Sequence, residues 1–169
     1  MGSLSTLWKS KELKEHTKVR VLQTCVFSRL LYATETWTLK KADLKRLDAF
    51  EMRCYRRILR ISWKDKVTNA FIRKKLNRIH SVTDMAKQRK LAFFGHICRM
   101  PNDRLVKTVM LGMVEGSRPR GRLVRRWIDD ITDRCNCDIG MAVTLAQDRR
   151  AWSSKVQAIV NGFNGPPGL

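Results

Sequence analysis

Between Lys40 and Trp63 the chain repeats on a helical period: Leu44, Leu47, Phe50, Cys54, Ile58 and Ile61 recur every three or four residues. At about 100° per residue these side chains share one face, while Arg46, Arg53, Arg56, Arg57 and Arg60 project together on a different one. One face is suited to burial and the other carries positive charge. The segment is the restart of a longer stretch, Leu30 to Trp63, which opens as an apolar run and breaks at Thr34-Glu35-Thr36. On its own it would pass for a core helix with a solvated basic face. The rest of the composition argues for more.

The chain has 169 residues with 43% hydrophobic content, enough for one ordinary domain or two small ones with a core. Its 35 Lys and Arg against 15 Asp and Glu give a net charge of +20, at a total charged fraction close to that of ordinary globular domains. The imbalance therefore comes from missing acids as much as from added bases. Such a field opposes compaction unless a polyanion is the usual neighbour, so nucleic acid is the first candidate partner and an anionic membrane surface the second. Cys25, Cys54, Cys98, Cys135 and Cys137 form an odd set without framework spacing, the pattern of reduced, mostly buried thiols in an intracellular protein. No run approaches 18 apolar residues and no signal-peptide core is present, so no transmembrane segment is expected. Gly2 with Thr6 fits the loose N-myristoylation pattern, which with nearby basic residues would support attachment to an anionic membrane.

In chain order, a helix is predicted from about Thr17 to about Leu31 on Val19, Leu22, Val26 and Leu30. Tyr32 to Leu39 is a connector in which Trp37 is expected to plug the joint as a core anchor. After the amphipathic helix, Asp65 to Asn69 reads as a turn, and Thr68 or Asn69 can cap a short helix to Leu76. Ser81-Val82-Thr83-Asp84 opens another helix, stopped before Pro101, and Arg104 to Val114 is a further one. Arg118-Pro119-Arg120-Gly121-Arg122, followed by Arg125 and Arg126, forms a loop expected to have nothing nearby to neutralise it. Leu123 to Arg134 continues as a helix with Trp127, Ile128 and Ile131 inward, its acids Asp129, Asp130 and Asp133 able to brace neighbouring bases. Met141 to Val160 reads as one final helix on Leu145, Trp152, Val156 and Ile159. No alternating-polarity strand and no internal repeat is present. The expected fold is all-α, an irregular bundle of about six to seven helices with an arginine-rich loop. Its expected segments are 1–114 (helical), 115–126 (arginine-rich loop), 127–160 (C-terminal helical) and 161–169 (flexible tail). Trp37, Phe50, Trp127 and Trp152 are its expected core markers.

No enzymatic constellation emerges. Gly-rich phosphate loops, Gly-x-Ser-x-Gly, His-Glu-x-x-His and acid pairs in apolar segments are all absent from the sequence. Asp129-Asp130, the only adjacent acids, lie behind Trp127-Ile128 on a helix and read as ion-pair partners. His96-x-Cys98 and Cys135-x-Cys137 could supply four ligands, but their spacing is too tight for the usual knuckle. His16, His80 and His96 show no partner pattern for acid/base work. No catalytic residue, metal or cofactor is therefore expected. The candidate nucleic-acid contacts are Arg46, Arg53, Arg56, Arg57 and Arg60 on the helix and Arg118, Arg120, Arg122, Arg125 and Arg126 in the loop. The planar guanidinium fork suits phosphate in two-point geometry and stacks on bases.

Five blocks carry a resemblance: LLYATETWTL (Leu30 to Leu39), LDAFEMRCYRRILRISW (Leu47 to Trp63), QRKLAFFGHICRM (Gln88 to Met100), RPRGRLVRRWIDDI (Arg118 to Ile131) and LAQDRRAW (Leu145 to Trp152). In this order they resemble the C-terminal part of the reverse transcriptase of non-LTR, LINE-type retrotransposons. Ala33 stands where that family usually has glycine, which implies a slightly altered turn before Trp37. The resemblance implies a thumb-like region from residue 1 to 114 and a basic region after it, which in the parent RNA-directed DNA polymerase would hold template RNA and primed target DNA. The family's palm aspartates and endonuclease lie upstream of the Trp37 block, so the chain is expected not to polymerise DNA unless a palm-bearing reverse transcriptase chain joins it. The expectation is a non-catalytic nucleic-acid-binding fragment, in the nucleus and/or cytoplasm, contacting the RNA and/or DNA backbone. The alternative is a basic structural or interaction protein at an anionic membrane surface or on an acidic protein partner.

Overall fold

A computed structural model of the chain describes residues 4–78, 80–112 and 125–162, and of Trp63 the backbone. Every regular element among them is a helix, and the fold is all-α. The helices are α1 (Ser5–Lys9); α2, made of Glu15–Val21, the π-helical turn Leu22–Phe27 and Ser28–Leu30; α3 (Lys41–Leu59); and α4 (Asn69–Lys75). They continue with α5 (Val82–Cys98), α6 (Leu105–Leu111), α7 (Asp129–Cys135), α8 (Ile139–Gln147) and α9 (Arg149–Gly162). Two compact units result, Met1–Thr34 with Leu39–Ala86, and Glu35–Thr38 with Lys87–Leu169. The expected arginine positions 118, 120 and 122, the tail from 163 onward and Gly2 lie outside the described residues.

Side-chain chemistry sets the helix ends. The Asp43 carboxylate accepts the Lys40 N–H at 3.2 Å, and Thr68 Oγ1 accepts the Phe71 N–H at 3.3 Å. Ser81 and Asp84 form a reciprocal capping box, each side chain accepting the other's backbone N–H at 3.1 Å. The single helix expected over Met141 to Val160 is two, because Asp148 accepts the N–H groups of Arg150 and Ala151 at 2.8 and 3.2 Å and so starts α9 afresh. Within α2 the hydroxyl of Thr24 donates to the Arg20 carbonyl at 3.1 Å and that of Ser28 to the Thr24 carbonyl. Such back-bonding loosens the α ladder and accompanies the π turn.

The first unit's core joins Trp8, Val19, Leu22, Phe27, Leu31, Met52, Cys54, Tyr55, Ile58, Ile72, Val82 and Ala86. Phe27 and Tyr55 meet edge-to-face at 6.1 Å. Glu51 lies in this core with 0% exposure. Its oxygens accept from Arg73 at 3.0 Å and from the Val82 N–H at 3.3 Å, and the Tyr55 hydroxyl also bonds to it. Burial raises the Glu51 pKa above the ordinary value of 4.5, outweighing the pull of Arg73. Phe50 is half-buried and packs on the edge of the core.

The second unit is built on Leu91, Phe94, Cys98, Ile131, Cys135, Ala142, Ala146, Trp152, Val156 and Val160. Trp152 is buried, and its indole N–H donates to the Leu91 carbonyl at 2.9 Å. Trp127 is half-buried against Phe93 and Phe94 and donates to the Glu35 carbonyl at 2.7 Å. Trp37 is not the buried anchor expected of it: 37% of its surface is exposed. What fixes it is its backbone, whose carbonyl accepts Lys90 Nζ at 2.9 Å. Burial pushes the thiols of Cys54, Cys98 and Cys135 up to about 11, so they stay protonated and unreactive. No helix among the described residues is long and apolar enough to cross a membrane.

Two outcomes are expected. Ala33 holds a left-handed backbone, φ 55°, in which a Cβ costs roughly 1 kcal/mol, so Ala33→Gly should raise the thermal midpoint by ~2–4 °C; a lowered midpoint would contradict this. For Glu51, the unfolded carboxyl loses its proton at a lower pH than the folded one, so its contribution is largest at acid pH. That contribution declines as pH rises from the ordinary carboxylate range through the raised folded value. Urea unfolding of wild type and Glu51→Gln across this window should show the wild type losing stability relative to the variant as pH increases.

Candidate nucleic-acid interface

Of the arginines on α3 and at its C-terminal cap, Arg46, Arg53, Arg57 and Arg60 are exposed and Arg56 is half-buried. Arg46 is 83% exposed and sits 3.5 Å from Asp43, a surface pair of little energetic weight. Arg56 has a different job. Its Nη2 donates to the Val67 carbonyl at 3.0 Å and to Asn69 Oδ1 at 2.8 Å, tying the segment before α4 to α3.

Arg60 terminates α3 in the left-handed conformation, φ 56° and ψ 33°, and the Ile61 N–H closes the turn onto the Arg56 carbonyl at 3.0 Å. Glycine is the usual residue there, because a side chain strains the backbone. The Arg60 guanidinium donates to the Lys9 carbonyl. Nearby, buried Lys18 donates to the carbonyls of Trp8 and Ser10 at 3.2 and 2.6 Å and holds the end of α1 in place. The result is a shallow dish of about 440 Å³ lined by Trp8, Lys9, Lys11, Arg57 and Arg60. No carboxylate lines it. The Trp8 indole N–H is buried without a hydrogen-bond partner. Four side-chain cations converging on one concavity create a positive potential that favours an oxyanion such as phosphate.

The loop arginines are placed differently from expectation where they are described. Arg125 is bound to Asp130 at 2.7 Å and to Asp133 at 2.6 Å. Arg126 is paired with Asp129 at 3.3 Å, and its backbone N–H donates to the same carboxylate at 2.7 Å. Neither guanidinium lacks a counter-charge. The cause is α7, whose first turn carries Asp129 and Asp130 where the helix dipole favours anions, with Arg125 and Arg126 one turn before them. The two adjacent acids are thus ion-pair partners, as their sequence context implied. Asp130 is 2% exposed and also binds Lys90, whose ammonium lies 4.7 Å over the Trp127 ring. Burial lowers the Lys90 pKa against the opposing pull of Asp130, and hydrogen bonds to Asp130 and Asp133 raise that of Arg125. The Arg126 backbone N–H lowers the pKa of Asp129.

No protein-family model and no solved structure matches the chain. An uncharacterized transposon-derived protein of Caenorhabditis elegans is 28% identical over 152 residues, covering 83% of this chain and 54% of that protein. The chain is similar to a transposon-derived protein. It spans about half the length of this curated relative.

Sequence reasoning missed Trp8, Lys9 and Lys11, because nothing in the local pattern links them to arginines some fifty residues away. Arg60 was among the expected contacts, but its role as the left-handed end of α3 is not legible, because the apolar period runs on to Ile61.

The two arginine groups should separate in stability measurements. Arg125→Ala leaves Asp130 buried with one cation fewer and should cost about 1–2 kcal/mol in urea unfolding, toward the low end because Arg125 is itself 43% exposed. Arg53→Ala should stay within about 0.5 kcal/mol. Equal effects would show that Arg125 is not a structural brace.

Proposed function

We propose that this chain is a non-catalytic nucleic-acid-binding module derived from the thumb and following basic region of a non-LTR retrotransposon reverse transcriptase. The observation that carries this reading is the dish of Lys9, Lys11, Arg57 and Arg60, an acid-free concavity continuous with the arginine face of α3. Likeness to a transposon-derived protein supports the origin, as do the five sequence blocks. In this reading the exposed arginines of α3 track the phosphate backbone of template RNA and/or primed target DNA, and the dish receives one phosphate of that backbone. Arginine forks and lysine point charges contact phosphates without reading bases, so binding is largely independent of sequence. Any polymerisation belongs to a separate palm-bearing chain. The working compartment is intracellular, the nucleus and/or cytoplasm, where the polyanion is.

Two measurements test it. Affinity for duplex, RNA and RNA/DNA hybrid should fall linearly with salt on logarithmic axes, with a duplex slope of about −5 to −7 for roughly five to eight engaged phosphates. The combined change Lys9→Ala, Lys11→Ala, Arg57→Ala and Arg60→Gly removes the grip on the one phosphate that the dish receives and should flatten that slope by roughly one unit. It should leave the thermal midpoint nearly unchanged, since glycine relaxes the left-handed position. A slope near zero, or tighter binding to anionic vesicles than to nucleic acid, would instead favour the membrane reading. Supplied with primer, template, nucleotides and magnesium, the purified chain should extend nothing.

A further inference from the structure

A second concavity, of about 540 Å³, lies wholly within the second unit, between α5 and α9. On α5 its wall is Gln88, Ala92 and His96, and on α9 it is Arg149, Ser153 and Gln157. Each set recurs every four residues, the spacing that stacks side chains along one helix ridge. Small residues, Ala92 and Ser153, occupy the middle of both ridges and leave the space open. Amide, imidazole and guanidinium groups stand toward the ends, and no carboxylate is among the lining residues.

Trp152 also lines the groove and is fixed from below by its bond to the Leu91 carbonyl at 2.9 Å. Gly95 allows the approach: a methyl there would lie 2.4 Å from two atoms of the Trp152 ring and 3.2 Å from Arg99 Nη1. Arg99 is in turn anchored on the Ala146 carbonyl at 2.7 Å. The Trp152 floor and the Arg99 guanidinium are therefore held in place before any ligand arrives, which lowers the cost of binding.

We infer that this groove takes one nucleotide of a single-stranded nucleic acid, with the base between Ala92 and Ser153 and the phosphate at Arg99 and Arg149. The amides of Gln88 and Gln157 each offer donor and acceptor together, which match the mixed edge of a heterocycle and not the acceptor-only carboxylates of an acidic peptide. A base within a duplex has its edge already paired and its faces stacked, so the groove selects unpaired strands. The inference rests on the nucleic-acid reading above but concerns different residues in a different unit.

The test uses the full chain and three probes of equal length: a single strand, the same strand made abasic, and a duplex. The single strand should bind at least about fivefold more tightly than the abasic strand, as expected for hydrogen bonds from the Gln88 and Gln157 amides to the base edge. Ser153→Trp, at an exposed position, fills the groove and should abolish that ratio while leaving duplex affinity unchanged. Ala92→Leu makes the same test from the opposite wall should Ser153→Trp fail to fold. No base preference in the wild type, or one that survives both variants, overturns the inference. So does displacement of the single strand, but not the duplex, by oligoglutamate, which would assign the groove to an acidic peptide. Loss of duplex binding in the wild type would instead overturn the nucleic-acid reading itself, a separable result.

Discussion

Glu51 has no exposed surface, yet Arg73, the Val82 N–H and the Tyr55 hydroxyl all direct hydrogen-bond donors at it. A carboxylate in that position ties α3, α4 and the start of α5 to one point. The same use of acid recurs elsewhere. Asp130 lies buried beneath Lys90 and Arg125, and Asp84 is buried within the capping box of α5. Asp43, Asp138 and Asp148 accept backbone N–H groups at the starts of α3, α8 and α9. In a chain with only 15 acids, placing several inside cores and at helix N-termini leaves few for the surface arginines, although Asp43 still reaches Arg46 and Asp130 reaches Arg125. Fold and field are therefore coupled: the carboxylates that stabilise the helices leave the dish lined by Arg57 and Arg60 without an acid.

Buried ion pairs of this kind stabilise conditionally. The desolvation cost of two charges can match their attraction, whereas removing one partner strands the other. Lys90 shows the balance. Burial lowers its pKa, Asp130 opposes the shift, and the Trp127 ring face gives the ammonium a further favourable neighbour. Trp127 and Lys90 together also bring Glu35 and Trp37 into the second unit, through bonds to their two carbonyls. Such a network fixes which residues belong together more than it adds net stability.

Periodicity made the all-α class, the course of α3 and α5, and the start signals at Thr68 and Ser81 legible in the sequence, because each depends on residues within a few positions of one another. Other features depended on distant residues and were not legible. Glu51 falls on the apolar face of the α3 period, but nothing local shows that Arg73 and Val82 converge on it. Trp37 reads as a core plug because tryptophan usually is one, yet the segment is held by its carbonyls and the ring stays partly exposed. Asp148 lies inside an apolar period that reads as one continuous helix, although an acid that can accept the next backbone N–H groups is itself a helix start. Lys9 and Lys11 belong to the basic dish only because Lys18 and Arg60 fasten the carbonyls beside them.

Left-handed backbone alone does not mark a functional position, since Ala33, Lys66, Asn77 and Asn136 share it with Arg60. Asn tolerates the conformation readily and Ala33 tolerates it at a cost. Arg60 differs in what the strain accomplishes. Its conformation turns the chain sharply off the end of α3, and its guanidinium reaches the Lys9 carbonyl. Arg57 and the two lysines then line the same concavity without an intervening acid. A helix end chosen for stability alone would carry glycine and lose that link. Keeping arginine there strains the backbone and adds mutual repulsion among cations, both of which oppose folding in the free protein. The Arg60 bond to the Lys9 carbonyl offsets part of that cost, and in the proposed reading a phosphate in the dish would offset the repulsion among the cations.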